Sequence, residues 1–284
     1  MRIAIAGYNG FLGSSLIRQA ENADFIYLSR ALLYGETDKL SESLEGVNIV
    51  INFAGSSVFR IWTRKAKREI FESRVKLTEN LVYAINLCRN KPSLFISGSA
   101  VGIYSSVGLH DEESLRYGDN FLSTVVKNWE NALLGLDQKV KLAVIRTGIV
   151  LGRSGGMFLK ISKITSFLPP VIPGSGKQAF PFIHISDFVK GIFWIAEHNL
   201  SGIYNFVAPS EVDYDGFIRA LGSGMKKKIY FRIPEGWIRL ILGEMAVLVV
   251  EGQRVSPARL LESGFVFNFG FMNIAIENLL EKTK

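Results

Sequence analysis

The sequence is poor in the residues that form disulfides and metal sites. It has 284 residues and a single cysteine, Cys88, so no disulfide can form within the chain. Its three histidines, His110, His184 and His198, lie far apart in sequence and give no local metal-site pattern. Both absences fit a reducing cytoplasm and a protein without metal. A chain of this length can bury a core without such cross-links.

Long apolar runs are also missing. The longest, WIRLILGEMAVLVV over residues 237–250, is interrupted by Arg239, Gly243 and Glu244. It falls short of the roughly 20 residues that span a bilayer. We predict a largely buried helix here, with an interfacial or partner-binding helix as the alternative. The start MRIAIAG is too short for the apolar core of a signal peptide, so we expect a cytoplasmic protein with no membrane span.

Positive charge exceeds negative charge, with a formal net charge of +7. Two basic runs contribute to it, RIWTRKAKR at 60–68 and KKKIYFR at 226–232. Neither run belongs to a recognisable nucleic-acid motif, and a run of charge is usually a solvated surface. A phosphorylated small molecule explains the basicity equally well, and we do not expect nucleic-acid binding.

Short β-branched runs alternate with helical patterns through the first half of the chain. This alternation predicts an α/β fold with a doubly wound parallel sheet and right-handed crossovers. The predicted helices cover 11–21, 64–88 and 120–135. The predicted strands are RIAIAG at 2–7, DFIYLS at 24–29, NIVINFAG at 48–55, SLFISGSA at 93–100, KVKLAVIRTG at 139–148 and GIYNFVA at 202–208. No clear linker follows, so we expect the C-terminal part to pack onto the first unit.

The first strand runs into a glycine-rich turn, GYNGFLG at 7–13. Gly7 can adopt a left-handed backbone, Gly10 lets a pyrophosphate approach, and Gly13 permits close packing of the helix on the strand. The helix that follows would direct its free N–H groups at the phosphates. The turn therefore predicts a dinucleotide site that also includes Tyr8, Asn9, Phe11 and Leu12. A simple strand-to-helix turn is the alternative.

The residues at the end of the second strand distinguish an NADP site from an NAD site. An NAD enzyme usually places an acid there, against the ribose 2′-hydroxyl, whereas this chain has Ser29 and Arg30. A guanidinium and a hydroxyl suit a 2′-phosphate, which a carboxylate would repel. We therefore predict NADP(H), although Arg30 could also be a surface cation. Ala54 and Gly55 end the third strand with small residues that let the cofactor lie close.

Many segments of the chain together resemble a known family. They are GYNGFLG, YLSR, INFAG, IWTRKAKREIFESRVKLTENLV, SGSAVGIY, NWENAL, VIRTGIVLGRSGGMF, GSGKQAFPFIHISD, YNFVAP and EGQRVSPARLLESGFVF, in this order from Met1 to about Asn268. They look like the atypical branch of the extended short-chain dehydrogenase/reductases that is labelled "epimerase family protein".

This resemblance implies a Rossmann domain, a small C-terminal α+β domain on the substrate side, and bound NADP(H). We assign 1–150 to the nucleotide-binding domain, with a return of the chain near 180–208, and 151–284 mainly to the substrate side. The resemblance also implies cofactor contacts from the helix segment EIFESR and from the strand end RTGIVLG. These candidates are Glu69, Arg74, Gly148, Ile149 and Val150.

Short-chain dehydrogenases use a serine with a Tyr-x-x-x-Lys pair that exchanges a proton with the substrate. Ser99 matches the serine, but no tyrosine in the chain has a lysine four residues later. Alignment on NWENAL puts Leu122 and Val126 at the two places, with Lys127 one residue away. Tyr104 is the candidate proton donor near Ser99, and a core aromatic is its alternative.

Other polar residues near these motifs are weaker candidates. Lys127 and the acids Asp111, Glu112 and Glu113 more often belong to solvated or ion-paired positions. We predict that His184 is a buried, hydrogen-bonded histidine and that Asp187 is the N-cap of the next helix. Lys177 and Gln178 lie in a glycine-rich loop that could frame a substrate cleft.

We therefore expect an NADP(H)-dependent oxidoreductase or epimerase-like enzyme that acts on a small molecule, as a monomer or homodimer. The missing Tyr-x-x-x-Lys pair keeps a non-catalytic NADP(H)-binding regulator open as the alternative.

Overall fold

A computed structural model describes residues 1–20 and 23–281. The predicted ends of the first helix, at 21, and of the C-terminal region, at 282–284, lie outside the described residues. The strands are β1 Arg2–Ala6, β2 Asp24–Leu28, β3 Ile49–Asn52, β4 Leu94–Ala100, β5 Leu109–His110, β6 Lys141–Thr147, β7 Ile149–Gly152, β8 Val171–Pro173, β9 Phe182–His184, β10 Gly202–Phe206, β11 Phe231–Ile233 and β12 Arg254–Val255. The helices are α1 Phe11–Gln19, α2 Arg30–Leu33, α3 Thr37–Leu44, α4 Arg64–Glu72, α5 Val75–Leu87, α6 Phe121–Asn131, α7 Gly156–Phe167, α8 Ile185–Glu197, α9 Tyr214–Gly224, α10 Glu235–Leu242, α11 Val247–Val250, α12 Ala258–Glu262 and α13 Met272–Leu280, with 3₁₀ turns at Val101–Ile103 and Gly243–Ala246.

A parallel six-stranded sheet in the order β10-β6-β4-β3-β1-β2 forms the centre of the molecule. Alternate residues of β1 supply the two faces. Ile3 and Ile5 pack with α1 and α8, and Ala4 and Ala6 pack with α3 and α5. Because both faces are covered, the strands consist almost entirely of apolar residues. The predicted α/β fold with a doubly wound parallel sheet is confirmed.

The C-terminal region has a smaller core of its own. Phe180, Phe182, Phe217 and Ile276 belong to this core, which is built mainly from α7, α9 and α13. Between its parts the chain returns to the large sheet, because α8 covers one face and β10 pairs with β6 at the edge. Both regions therefore meet along the carboxyl ends of the strands.

The predicted continuous helix over 64–88 is wrong, because α4 ends at Glu72 and α5 begins at Val75. Side-chain hydrogen bonds end α4. Ser73 Oγ donates to the Ile70 carbonyl at 3.1 Å, and Arg74 Nη1 donates to the same oxygen at 3.2 Å. Ser73 Oγ also accepts the Ser56 N–H at 2.9 Å, which ties the break to the loop after β3. The break places the Arg74 side chain beside that loop.

The prediction of a largely buried helix over 237–250 is also wrong. The segment divides into α10, a 3₁₀ turn and α11, with Gly243 in a left-handed conformation at φ +54. On α10, Leu240 is 75% and Ile241 74% exposed, whereas Ile238 is 7% exposed. The apolar side of this helix therefore faces outward. Across residues 1–20 and 23–281, no helix has both the length and the apolar character needed to cross a membrane.

His184, and not Asp187 as predicted, is the N-cap of α8. Its Nδ1 accepts the Ser186 N–H at 3.1 Å. The Asp187 carboxylate instead accepts the N–H groups of Asn268 and Phe269 at 2.9 and 2.8 Å. A carboxylate in the first helical turn can reach neighbouring backbone outside its own helix, so Asp187 joins α8 to the C-terminal segment.

Burial makes His184 a source of acid sensitivity. The residue is 2% exposed, and its loss of hydration lowers its pKa from 6.5 to about 4, with a smaller contribution from Arg153. The unfolded chain therefore binds a proton between these pH values that the folded chain does not. As the pH falls through this window, we expect a loss of up to about 3 kcal/mol in the free energy of unfolding.

Urea denaturation of the wild type and His184→Asn between pH 7 and pH 4.5 tests this expectation. Asparagine can keep the helix cap but does not titrate. The variant should show a flatter dependence of unfolding free energy on pH, whatever its stability at pH 7. Parallel curves for the two proteins would contradict the assignment to His184.

Candidate functional site

The glycine-rich turn opens onto a cavity of about 370 Å³ at the carboxyl ends of β1, β2 and β3. Gly7 has φ +83, and a Cβ there would lie 2.6 Å from the Phe53 carbonyl carbon. A Cβ on Gly13 would lie 2.4 Å from the Gly7 carbonyl oxygen. Only glycine fits at either position. Gly10 is the N-cap of α1 and lines the cavity with Tyr8, Asn9 and other residues. We call this space the glycine-turn cavity.

Arg30 lies where β2 leads into α2. It lines the glycine-turn cavity and also an adjoining cavity of about 550 Å³. Its guanidinium lies 5.7 Å from the ring centre of Tyr34. Among the described residues, no carboxylate pairs with it. Ser29 Oγ accepts the Leu32 N–H at 3.2 Å, so Ser29 caps the short helix that begins at Arg30.

Glu69 lies on the rim of the adjoining cavity, and its carboxylate pairs with Arg60 at 2.6 Å. The Arg60 guanidinium therefore neutralises it. Ala54 and Gly55 line the glycine-turn cavity beside the turn itself. The structure thus brings the glycine-rich turn, Arg30, Ala54 and Gly55 to one cleft, with Glu69 at its edge. Ser29 caps α2 and does not line either cavity.

Arg74 is a desolvated cation beside this cleft. Its Nη1 donates to the carbonyls of Ser56 and Ile70 at 3.0 and 3.2 Å, and its guanidinium lies 5.4 Å from the ring centre of Trp129. Within the described part of the chain, no acidic side chain forms an ion pair with it. Burial lowers the pKa of Arg74 to about 10. A cation in such a place is stabilised when an anion joins it.

A second space, which we call the central cavity, continues along the sheet edge with a volume of about 430 Å³. Phe11, Leu12, Arg74 and Ser99 lie on its walls. The strand-end residues Gly148, Ile149 and Val150 also line it. All of the candidates from 7–13, 54–55, 74 and 148–150 except Gly13 therefore line one of two neighbouring cavities. Gly13 lies behind the turn, where it packs the helix on the strand.

Ser99 is the buried polar group of the predicted catalytic pair that reaches the central cavity. Its Oγ donates to Glu130 Oε1 at 2.6 Å. Arg146 binds both oxygens of the same carboxylate, at 2.8 Å from Nε and 2.7 Å from Nη2. The Arg146 side chain is 1% exposed. Ser99 is therefore oriented by a buried ion pair.

Tyr104 lies behind this pair and does not line either cavity. Its hydroxyl accepts from Arg146 Nη1 at 2.8 Å and donates to Asn205 Oδ1 at 2.9 Å. Its ring stacks on His110 with 5.0 Å between ring centres. Burial raises the pKa of Tyr104, which opposes release of its proton. The structure thus brings Ser99 to the cavity and Tyr104 to the core.

The places of the missing Tyr-x-x-x-Lys pair form an apolar wall. Leu122 and Val126 both line the central cavity from α6. Lys127 turns away, because its Nζ donates to the Gly118 carbonyl at 2.7 Å. Of the other acidic candidates, Glu112 accepts the Asn205 N–H at 2.8 Å, and Glu113 pairs with Arg259.

A third space of about 540 Å³, the C-terminal cavity, adjoins the central one and shares Ala179, Pro181 and Gln253 with it. A Cβ on Gly252 would lie 1.9 Å from the Ala179 carbonyl oxygen, so these two segments touch. Lys177 lines this third space. Gln178 Nε2 donates to the Val249 carbonyl at 2.6 Å and holds the loop to α11.

Sequence reasoning missed Glu130, Arg146 and Gln253 as members of the site. Arg146 had a signal, since a charged residue within an apolar strand must find a partner when it is buried. For Glu130, the sequence contained no indication of a buried partner beyond its position in a helix. Among residues 1–20 and 23–281, no group of three or more His, Cys, Asp or Glu side chains could hold a metal ion.

The buried ion pair generates a stability prediction. Arg146→Met would leave the Glu130 carboxylate without its partner, so we expect a loss of about 3–5 kcal/mol in unfolding free energy. Arg254→Met is the matched control, because its pair with Glu211 is exposed and should contribute less than about 1 kcal/mol. Urea denaturation at pH 7 measures both.

The double variant Glu130→Leu with Arg146→Met should recover most of that loss, because it leaves no buried charge unpaired. Equal, small losses for the two arginine variants would contradict the role given to the buried pair.

Comparisons of the sequence relate this chain to known proteins. Residues 3–206 match the sequence model of the NAD dependent epimerase/dehydratase family, and residues 233–279 match a domain of unknown function, DUF1731. The epimerase family protein YfhF of Bacillus subtilis is 30% identical over 305 residues, which cover all of this chain and 99% of YfhF. The mouse epimerase family protein SDR39U1 is 30% identical over 99% of this chain and 100% of its own.

Solved structures agree with these sequence matches. Human SDR39U1 isoform 2, crystallised with NADPH, has a TM-score of 0.89 and 28% identity, with both chains covered completely. A dTDP-4-dehydrorhamnose reductase from Bacillus anthracis in complex with NADP has a TM-score of 0.80 at 16% identity, which is a likeness of fold alone. The predicted resemblance to the epimerase family proteins is confirmed, and the chain belongs to the NAD dependent epimerase/dehydratase family.

Proposed function

We propose that this protein binds NADP(H) along the cleft formed by the glycine-turn and central cavities. The observation that carries the proposal is Arg30, a cation without a carboxylate partner among the described residues, at the end of β2. An NAD-specific site usually has an acid there, which would repel a 2′-phosphate. The human relative SDR39U1 was crystallised with NADPH, which supports the same choice.

The residues of the cleft fit this cofactor. Gly7 and Gly10 leave the turn without side chains on the cavity side, and the N-terminus of α1 directs free N–H groups there. Arg74 supplies a desolvated positive charge between the two cavities. A pyrophosphate would neutralise this charge. Ala54 and Gly55 are small enough for a nucleotide to lie against the end of β3.

Arg30→Ala tests the choice of cofactor. Loss of a charge-assisted contact to the 2′-phosphate, at about 1.5–3 kcal/mol, should weaken NADPH binding about 10- to 100-fold and leave NADH binding unchanged. Calorimetric titration with both cofactors measures the ratio. Arg89→Ala, an exposed arginine after α5, is the control and should change neither affinity. An equal loss for NADH and NADPH in Arg30→Ala would remove the basis for NADP(H).

We further propose that the protein is an oxidoreductase or epimerase-like enzyme on a small molecule. NADP(H) supplies or accepts a hydride when it is bound. Ser99 Oγ directs its proton to Glu130, so its lone pairs are free to accept a hydrogen bond from a substrate hydroxyl in the central cavity. In the direction of oxidation, Ser99 would take the substrate proton as it passes its own to Glu130 Oε1.

Arg146 keeps this relay in one orientation. Its two hydrogen bonds hold the Glu130 carboxylate, and the carboxylate holds Ser99. Ser99 and Glu130 would thus take the place of the tyrosine and lysine, whose positions are Leu122 and Val126.

Deuterium transfer tests the chemistry without a known substrate. The protein is incubated with NADPH deuterated at C4 of the nicotinamide and with a filtrate of small metabolites, which are then analysed by mass spectrometry. We expect a labelled product with the wild type and about a hundredfold less with Ser99→Ala. Ser166→Ala, on the exposed end of α7, is the control. Equal labelling by Ser99→Ala and the wild type would contradict the role of Ser99.

A second candidate function is a non-catalytic NADP(H)-binding regulator. The apolar side chains of Leu122 and Val126 favour it, since the usual proton donor is absent from the cavity wall. The same experiment separates the two candidates. Calorimetric binding of NADPH without any labelled product from several metabolite filtrates is the result expected of a regulator.

A further inference from the structure

The C-terminal region carries an exposed apolar surface that the nucleotide site does not use. Its side chains come from the end of α7, from β11 and the segment just before it, and from α10. We call this surface the basic apolar face. Its apolar members are Ile164, Phe167, Leu168, Ile229, Phe231, Ile233, Trp237, Leu240 and Ile241, all more than one third exposed.

The three segments form one continuous surface. Strand β11 pairs with β8, which follows the end of α7 after two prolines. The Phe231 N–H donates to the Pro170 carbonyl at 3.0 Å, and Lys227 Nζ donates to the Ser166 carbonyl at 3.1 Å. Helix α10 begins two residues after β11. These contacts place the end of α7 next to β11, and α10 follows β11 directly in the chain.

The outward orientation of the apolar side chains is fixed by the backbone. On β11, Phe231 and Ile233 lie on one side, while Arg232 turns to the other side and pairs with Asp215 at 3.1 Å. On α10, Trp237, Leu240 and Ile241 have the spacing of a single helix face, and Ile238 packs inward. Trp237 is 61% and Phe167 88% exposed. An apolar surface of this kind marks an interaction site.

Positive charge lies beside this surface, on α7 and in the segment before β11. Lys163, Lys226 and Lys228 are exposed, and none of them has a carboxylate partner among the described residues. Glu235 at the start of α10 pairs with Arg239, Asp215 pairs with Arg232 of β11, and Glu244 just after α10 pairs with Lys67. Aromatic and aliphatic side chains surrounded by lysine are the composition that binds at the headgroup level of an anionic bilayer.

We propose that the basic apolar face docks the protein on the surface of an anionic lipid bilayer. The apolar side chains of α10 and β11 would enter the headgroup region, while the lysines contact the lipid phosphates. Charge complementarity favours this occupant over a second copy of the chain. In a symmetric pair, the unpaired lysines of both copies would face one another and repel.

Vesicle sedimentation with the full chain tests the proposal and does not depend on NADP(H). We expect the protein to sediment with vesicles of phosphatidylcholine mixed with phosphatidylglycerol and not with pure phosphatidylcholine, and to be released by high salt. Tryptophan emission should shift to the blue on binding, and Trp237→Phe should abolish most of that shift. Trp237 is exposed, whereas Trp129 is buried and Trp62 and Trp194 are half-buried.

Two sets of variants separate the contributions. Leu240→Glu with Ile241→Glu, and independently Lys226→Glu with Lys228→Glu, should each weaken vesicle binding at least about tenfold. The controls are Leu134→Glu, an exposed leucine near the end of α6, and Lys76→Glu with Lys139→Glu, exposed lysines on the nucleotide-binding part. These controls should bind vesicles as the wild type does. Circular dichroism and urea midpoints verify that each variant is folded.

Absence of binding to the mixed vesicles would overturn the proposal, as would unchanged binding by both sets of variants. Analytical ultracentrifugation tests the other possible occupant of this face, a second copy of the chain. A dimer that Leu240→Glu with Ile241→Glu converts to a monomer, without vesicle binding by the wild type, would assign the face to a contact between two copies and overturn lipid docking.

Discussion

The buried guanidinium of Arg146 is the group on which the arrangement of the site depends. It lies near the carboxyl end of β6, next to the edge strand β10, and connects three other elements through side-chain hydrogen bonds. Glu130 brings in α6, Tyr104 brings in the segment after β4, and Asn205 joins β10 through the tyrosine hydroxyl. A charge at this depth is tolerated only when its hydrogen bonds are complete. The pair therefore fixes Ser99 in the cavity at the same time as it fixes the core behind it.

Two arginines near the cleft differ in how their charge is compensated. Arg146 has a carboxylate partner in the structure, so its charge is compensated before any ligand arrives. Arg74 has carbonyl oxygens and an aromatic ring beside it but no carboxylate within the described residues. An anion bound in the cleft would compensate the charge of Arg74. Arg146 is fully buried, whereas Arg74 is half-buried on the wall of the central cavity.

Periodicity and turn chemistry predicted the sheet, the first helix and the glycine-rich turn, since these depend on local sequence. They did not predict the break at Ser73, because the hydrogen bond that stabilises it comes from Ser56, a partner that only the folded chain brings near. Nor did they predict which way α10 faces. Amphipathic spacing shows that Trp237, Leu240 and Ile241 share a side, but it contains no information on whether that side meets a core or water.

The surroundings of Ser99 were the least accessible to sequence reasoning. Ser99 lies near the carboxyl end of β4, at the edge of the sheet that its motif indicates. Tyr104 is close to Ser99 in sequence, yet the 3₁₀ turn at Val101–Ile103 carries it to the other side of the ion pair. Glu130 and Arg146 lie far apart in the chain, so only tertiary contacts reveal that they act on Ser99.

The return of the chain to β10 sets an order on how the molecule can assemble. Strand β6 is complete at Thr147, but its outer neighbour does not begin until Gly202, and residues 148–201 build much of the second region in between. During synthesis, the β6 edge of the sheet therefore stays unpaired until β10 has been made. A fragment cut at residue 150 would keep that edge exposed, prone to pairing with other chains, and would lack Asn205 behind Tyr104. Residues 1–150 alone therefore leave β6 without its outer neighbour.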